Sequence, residues 1–392
     1  MTSVRDRHSA ALFAIAWAIA LAACDRPGAA GSKLPSADTA AFRWLLPPGL
    51  PRPDVPADNP MSAAKVELGR RLFYDPRLSG SRAFSCASCH RQEKAFADAR
   101  NLPLGSSGQL HPRNSMALSN VAYQVVFGWA DPATRSLEAQ AMIPLVGETP
   151  LEMGLHGHED DLLRRLDSVP LYRALFAAAF ASDSPHITIR NVTRGIAAFE
   201  RTFMSGNAPY DLYKRGAAGA ISDAARRGEA LFLSDRLKCS RCHSGPFFTN
   251  AARWRGASAG DPEFLNNGLY NIGGHGAYPA PNTGLFATTG IAGDIGRFKV
   301  PSLRNVAVTY PYMHDGSVAT LDDVIDHYAA GGRTLTSGPY PGVGRRNPYK
   351  SALVGGFAIT PGEKSDLIAF LRSLTDSTFL TDPKFSNPWI VR

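Results

Sequence analysis

The chain has 392 residues, of which 44% are hydrophobic and 19% charged. That is enough chain for two domains of ordinary size and enough apolar material for real cores. Its formal charge of +8 comes without any concentrated basic run, which argues against a nucleic-acid partner.

At the start, Arg5 and Arg7 precede an apolar run from Ala10 to Ala23. This is the charged head and short hydrophobic stretch of an export signal, shorter than a membrane span requires. The run closes on Leu21-Ala22-Ala23-Cys24, which resembles a bacterial lipobox. A removed signal over 1–23 and a lipid on Cys24 are therefore expected, with membrane contact only through that lipid. Asp25 resembles the signal that retains some lipoproteins at the inner membrane. Residues 24–56 are rich in Pro, Ala, Gly and Ser and read as a linker.

From residue 57 onward the pattern turns helical. Ala63–Phe73, His158–Phe180 and Ile189–Phe203 carry apolar residues at helical spacing. Thr360-Pro361-Gly362-Glu363 is a capping box with proline at the first helical position, followed by Leu367, Phe370, Leu371 and Leu374. Long Gly- and Pro-rich stretches such as Gly268–Gly296 separate them, as expected where a cofactor supplies much of the core.

Cys-x-x-Cys-His occurs twice, as Cys86-Ala87-Ser88-Cys89-His90 and Cys239-Ser240-Arg241-Cys242-His243. Two thiols at this spacing can each bond one vinyl group of a haem, and the adjoining histidine can then ligate the iron. A zinc site would use pairs closer in sequence, and a redox dithiol has no use for the histidine. Two covalent c-type haems follow, held by Cys86, Cys89 and His90 and by Cys239, Cys242 and His243; their four propionates would offset half of the formal charge. Attachment of this kind is completed outside the cytoplasm, in agreement with the export signal.

A weak repeat surrounds the two motifs. Leu68-Gly69-Arg70-Arg71-Leu72-Phe73 precedes the first and Arg227-Gly228-Glu229-Ala230-Leu231-Phe232 the second, while Phe96 and Phe248 follow each. The fold expected is mainly α, with two cytochrome c-like haem domains over 57–212 and 213–392 and long loops.

The run from His111 to Gly154 holds Arg113-Asn114-Ser115, Trp129, Leu137-Glu138-Ala139-Gln140-Ala141, Pro144 and Pro150-Leu151-Glu152-Met153-Gly154. Later come Pro301-Ser302-Leu303-Arg304-Asn305 and Thr309-Tyr310-Pro311-Tyr312-Met313-His314-Asp315-Gly316. This succession, over about residues 57 to 390, resembles the bacterial di-haem cytochrome c peroxidase and MauG family. The resemblance implies a periplasmic enzyme acting on hydrogen peroxide at the His90 haem, with Gln140 and Glu152 on its distal side and Pro144 beside it. Glu152 would move a proton between the two peroxide oxygens so that water leaves. Its interval from Gln140 is longer than in typical peroxidases, which keeps Glu148 as a rival. Trp129 would lie between the haems. Asn114, with the carbonyls of Thr309 and Pro311, matches an interdomain calcium site, where oxygen ligands suit a hard cation.

Two departures refine this. The peroxidase histidine that caps the first iron falls at Ser106, and His111 lies elsewhere in that loop, so the first iron is expected to be open as in MauG. The methionine that ligates the second iron in peroxidases falls at Tyr328, as in MauG, with His327 as an alternative ligand. The stretches Gly147–Gly154, Ala277–Gly284 and His327–Arg333 look most like the MbnH branch, whose members oxidise a tryptophan of a partner protein. The tryptophan through which MauG passes charge falls at Leu237, which argues against that route here; surface residues such as Trp254 or Trp389 are possible exit points. The alternative within the family is a peroxidase that scavenges peroxide with electrons from a small cytochrome or cupredoxin.

Overall fold

A computed structural model describes residues 42–254 and 261–390; the expected export signal and Cys24 lie outside the described residues. The first helix, α1 (Ala63–Phe73), begins where Ser62 accepts a hydrogen bond from the Lys65 amide, a side-chain N-cap. It buries Leu68, Leu72 and Phe73. Helix α2 (Leu137–Val146) carries Pro144 in its last turn. The helix expected over His158–Phe180 is two, α3 (Glu159–Asp167) and α4 (Pro170–Ala179), because Val169 is extended before a proline that starts the next helix. Helix α5 (Ile189–Glu200) stops short of Phe203, and α6 (Pro209–Lys214) follows.

The second half repeats the plan. Helices α7 (Asp223–Leu233), α8 (Cys239–Cys242), α9 (Phe286–Thr289), α10 (Leu321–Ala329), α11 (Pro361–Ser373) and α12 (Ser377–Thr381) are joined by long loops. The capping box read at Thr360 and Glu363 is formed, and it starts α11. Among the described residues the strands are two short antiparallel pairs, β1 (Phe264–Leu265) with β2 (Phe298–Lys299) and β3 (Thr334–Leu335) with β4 (Gly342–Val343). The fold is mainly α, as expected.

The weak sequence repeat has a geometric counterpart. Helix α1 crosses α5 at Gly69, where a Cβ would stand 1.8 Å from the Gly195 carbonyl oxygen. In the second half α7 crosses α11 at Gly228, where a Cβ would meet the Asp366 oxygen at 2.0 Å. Both glycines permit a backbone contact that no side chain allows. One core gathers Phe73, Phe96, Phe199 and Phe203, and the other gathers Phe232, Phe248 and Phe370. The C-terminal segment returns to the first core, where Phe379 and Phe385 pack edge-on against Phe96.

Residues 42–56 of the expected linker have no helix or strand, yet they pack on the body. Trp44, Leu46 and Leu50 lie against Tyr123, Met204 and Phe247, and the Tyr123 hydroxyl donates to the Pro51 carbonyl.

Candidate active site

Each Cys-x-x-Cys-His motif opens onto its own cavity. The first, about 70 Å³, is lined by Cys86, Cys89, His90, His111, Gln140, Pro144, Glu152 and Glu200 among others. The second, about 300 Å³, is lined by Cys239, Cys242, His243, Trp129, Leu237, Lys299, Met313, His314 and Tyr328 among others.

The two proximal loops are built alike. His90 places Nδ1 2.7 Å from the Phe96 carbonyl oxygen, and His243 places Nδ1 3.1 Å from that of Phe248. Both phenylalanines hold left-handed backbone, φ 62° and 51°, which turns their carbonyls back toward the imidazoles. A ring that gives its Nδ1 proton to a carbonyl leaves Nε2 as the basic atom, the arrangement of an oriented metal ligand. Burial lowers both imidazole pKa values, that of His243 to about 4, so both rings are neutral at pH 7. The four thiols are unpaired, and burial raises Cys89 to about 11 and Cys239 to about 12. Among the described residues no cluster of three His, Cys, Asp or Glu side chains could hold a metal ion. A neutral imidazole and two free thiols on the wall of each of two separate cavities fit two c-type haems.

In the lining of the first cavity, Gln140 and Pro144 come from one face of α2. Glu152 is held by its own carbonyl, which accepts the Ser106 amide at 2.7 Å. Glu148 takes no part in the lining: its side chain is 68% exposed and pairs with His156 at 3.5 Å. Ser106 is absent from the lining as well. His111, which sequence reasoning set aside, faces the cavity with Nε2 3.4 Å from Glu152 Oε1. Glu200 was missed entirely. It is 5% exposed, its Oε2 has no hydrogen-bond partner, and burial raises its pKa to about 8.

In the second cavity Tyr328 projects from α10, with its pKa raised to about 12 by burial. His327 lies outside the lining, and neither of its ring nitrogens has a partner. Met313 and His314 also face this cavity; His314 stacks on Phe298 with centroids 3.7 Å apart and an unpartnered Nε2. Trp129 borders the same space and donates its indole N–H to the Asn114 carbonyl at 2.7 Å. Asn114 in turn donates its side-chain amide to the carbonyls of Arg100 and Asn101 and its backbone amide to that of His314. No hydrogen bond among the described residues joins it to Thr309 or Pro311. Of the two candidate exit tryptophans, both half-buried, Trp254 packs on Phe247 and over Gly245, two residues past His243. Trp389 lies against Arg71, Arg77 and Tyr172.

Comparison with known proteins agrees with this architecture. Residues 63–219 match the family of di-haem cytochrome c peroxidases. The chain is 34% identical to the methylamine utilization protein MauG of Methylorubrum extorquens, over 92% of this chain and 94% of that protein. This chain belongs to the di-haem cytochrome c peroxidase and MauG family. It is also 36% identical to the cytochrome-c peroxidase IdrP1 of Denitromonas iodatirespirans, over 89% of this chain and 92% of that protein. Among solved structures, a MauG-like protein associated with microbial copper homeostasis is 44% identical, with a TM-score of 0.87 over 89% of this chain and all of that one. The diheme peroxidase BthA of Burkholderia thailandensis shares the fold at 22% identity and a TM-score of 0.63, over 84% of this chain and 91% of that one. The protein is a di-haem oxidoreductase with two haem c groups.

Proposed function

We propose that this enzyme uses hydrogen peroxide at the haem held by Cys86, Cys89 and His90 and withdraws two electrons from a partner protein, at a tryptophan side chain. A haem at each motif supplies an iron that accepts peroxide or holds an oxidising equivalent. The observation that carries the reading is the cavity of His90, where the other imidazole in the lining, His111, stands 3.4 Å from the Glu152 carboxylate. Glu152 takes the proton from the near peroxide oxygen and returns it to the far one, so that water leaves. His111 orients that carboxylate. Gln140 supplies an amide donor, and Pro144 keeps the floor of the site free of competing hydrogen-bond groups.

Tyr328 and His243 would hold the iron of the other haem, and Trp129, which lines the same cavity, would carry charge between the two haems. Trp254, packed on the proximal loop of His243, is the better exit of the two candidate tryptophans. Calcium bound by Asn114, Thr309 and Pro311 would tie the two halves together. The similarity to a MauG-like protein of copper homeostasis supports a protein substrate in metal handling. Export, a periplasmic site and a lipid on Cys24 complete the reading.

A second reading, a peroxide-scavenging peroxidase, is favoured by His111 itself. Swung off Glu152 and onto the iron, it would cap the site until the other haem is reduced. Incubating the fully oxidised enzyme with peroxide and the product of a neighbouring gene separates the two. Oxygen added to a tryptophan of that protein, found by mass spectrometry, supports the first reading. Peroxide turnover only after partial reduction by a small cytochrome, with the neighbour unmodified, supports the second.

A further inference from the structure

Lys299 closes strand β2 and is 3% exposed. Burial is the sole influence on its ammonium group, and it lowers the pKa to about 7; no carboxylate among the described residues offsets it. Nζ donates to Gln124 Oε1 at 2.5 Å and to the Val126 carbonyl at 3.3 Å. Two neutral acceptors leave one of its three N–H donors unused. Lys65, also buried, differs in having the carboxylates of Asp183 and Glu138 acting on it. The other cations on the cavity wall are Arg236, paired with Glu363, and Lys238, both exposed.

Lys299 therefore has the burial of a paired ion and lacks the partner. A buried ammonium with no counter-ion is costly enough that such groups are normally paired or neutral. The cavity next to it is one place a partner could sit. Lys299 lines the cavity of Cys239, Cys242 and His243, and its backbone amide donates to the Trp129 carbonyl at 2.8 Å.

We propose that Lys299 is the buried counter-ion of a carboxylate of the haem attached at Cys239 and Cys242, fixing that carboxylate beside Trp129. This rests on the assignment of the second haem to that motif. The haem carboxylate supplies the third acceptor and the missing negative charge, and the ammonium stays protonated. A fixed positive charge beside the second haem stabilises its reduced form, so Lys299 also sets the potential of the haem that shares charge with Trp129.

The test uses full-length enzyme carrying both haems, with Lys299→Met, Lys299→Gln and Lys299→Arg. Gln, one bond shorter, keeps an N–H donor and removes the charge, so it carries the test if Met disturbs folding. Spectroelectrochemical titration resolves the two haems. In Lys299→Gln the ferric-to-ferrous ratio of the second haem rises at least tenfold at fixed potential, equivalent to about 59 mV for one electron. The first haem stays unchanged, and Lys299→Arg restores the wild-type value. A change below threefold, an equal change in both haems, or a wild-type potential that follows chloride concentration overturns the proposal, the last by making a free anion the partner. Failure of the assignment is distinguishable: the wild-type peptide containing Cys239 and Cys242 would then carry no haem mass.

Discussion

Glu200 offers a sharp quantitative test of the first cavity. Its pKa rises from 4.5 to about 8 because the carboxyl is buried; Arg201 acts against the shift and Glu138 with it, and those two neutralise each other in a two-bond ion pair at 2.7 Å. In the window between these values the folded protein holds a proton that the unfolded chain has released. Stability therefore falls as pH rises from about 4.5 to about 8 and levels off above, by on the order of 5 kcal/mol for a shift of this size. Glu200→Gln is neutral in both states and lacks this dependence. Denaturant unfolding of the haem-loaded wild type and variant between pH 5 and 9 should give curves that diverge with pH, the variant being more stable at the alkaline end. Parallel curves would mean that Glu200 is ionised in the folded protein and that the cavity is wetter than its geometry indicates.

Other outcomes follow from the same geometry. Glu152→Gln should slow peroxide cleavage by about 10²- to 10⁴-fold in stopped-flow absorbance with haem content unchanged, whereas Glu148→Gln, on an exposed side chain, should leave the rate alone. Gly69→Ala forces α1 and α5 apart at a contact of 1.8 Å and should destabilise by about 1–3 kcal/mol, read from the denaturation midpoint. Gly228→Ala should cost a similar amount in the second half. Tyr328→Phe should change the electronic spectrum of the haem at His243 and leave that at His90 as it was, whereas His327→Ala, outside the cavity, should change neither.

The elements most legible in the sequence were those fixed by local chemistry. The span of α1 and the capping box of α11 follow from apolar spacing and side-chain caps within a few residues. The run through α3 and α4 was legible as helical but not as broken, since Pro170 suits the first turn of a helix and its pattern continues on both sides. Phe96 and Phe248 could be aligned as a repeat, although nothing local disclosed that each turns a carbonyl onto an imidazole. The contacts of His111, Glu200 and Lys299 join segments far apart in the chain, so no spacing rule reaches them. A lone buried acid and a lone buried base are also residues that composition treats as surface. The resemblance of the motifs pointed to Gln140, Pro144 and Glu152, which line one cavity, and the fold adds His111 to that lining.

The central claim is an open coordination position on the iron held by His90, facing Glu152. Low-temperature electron paramagnetic resonance of the fully ferric enzyme tests it most directly. One high-spin and one low-spin signal are predicted, the high-spin one disappearing when peroxide is added without prior reduction. Two low-spin signals, with the first converted to high-spin in His111→Ala, would place His111 on the iron and contradict the account.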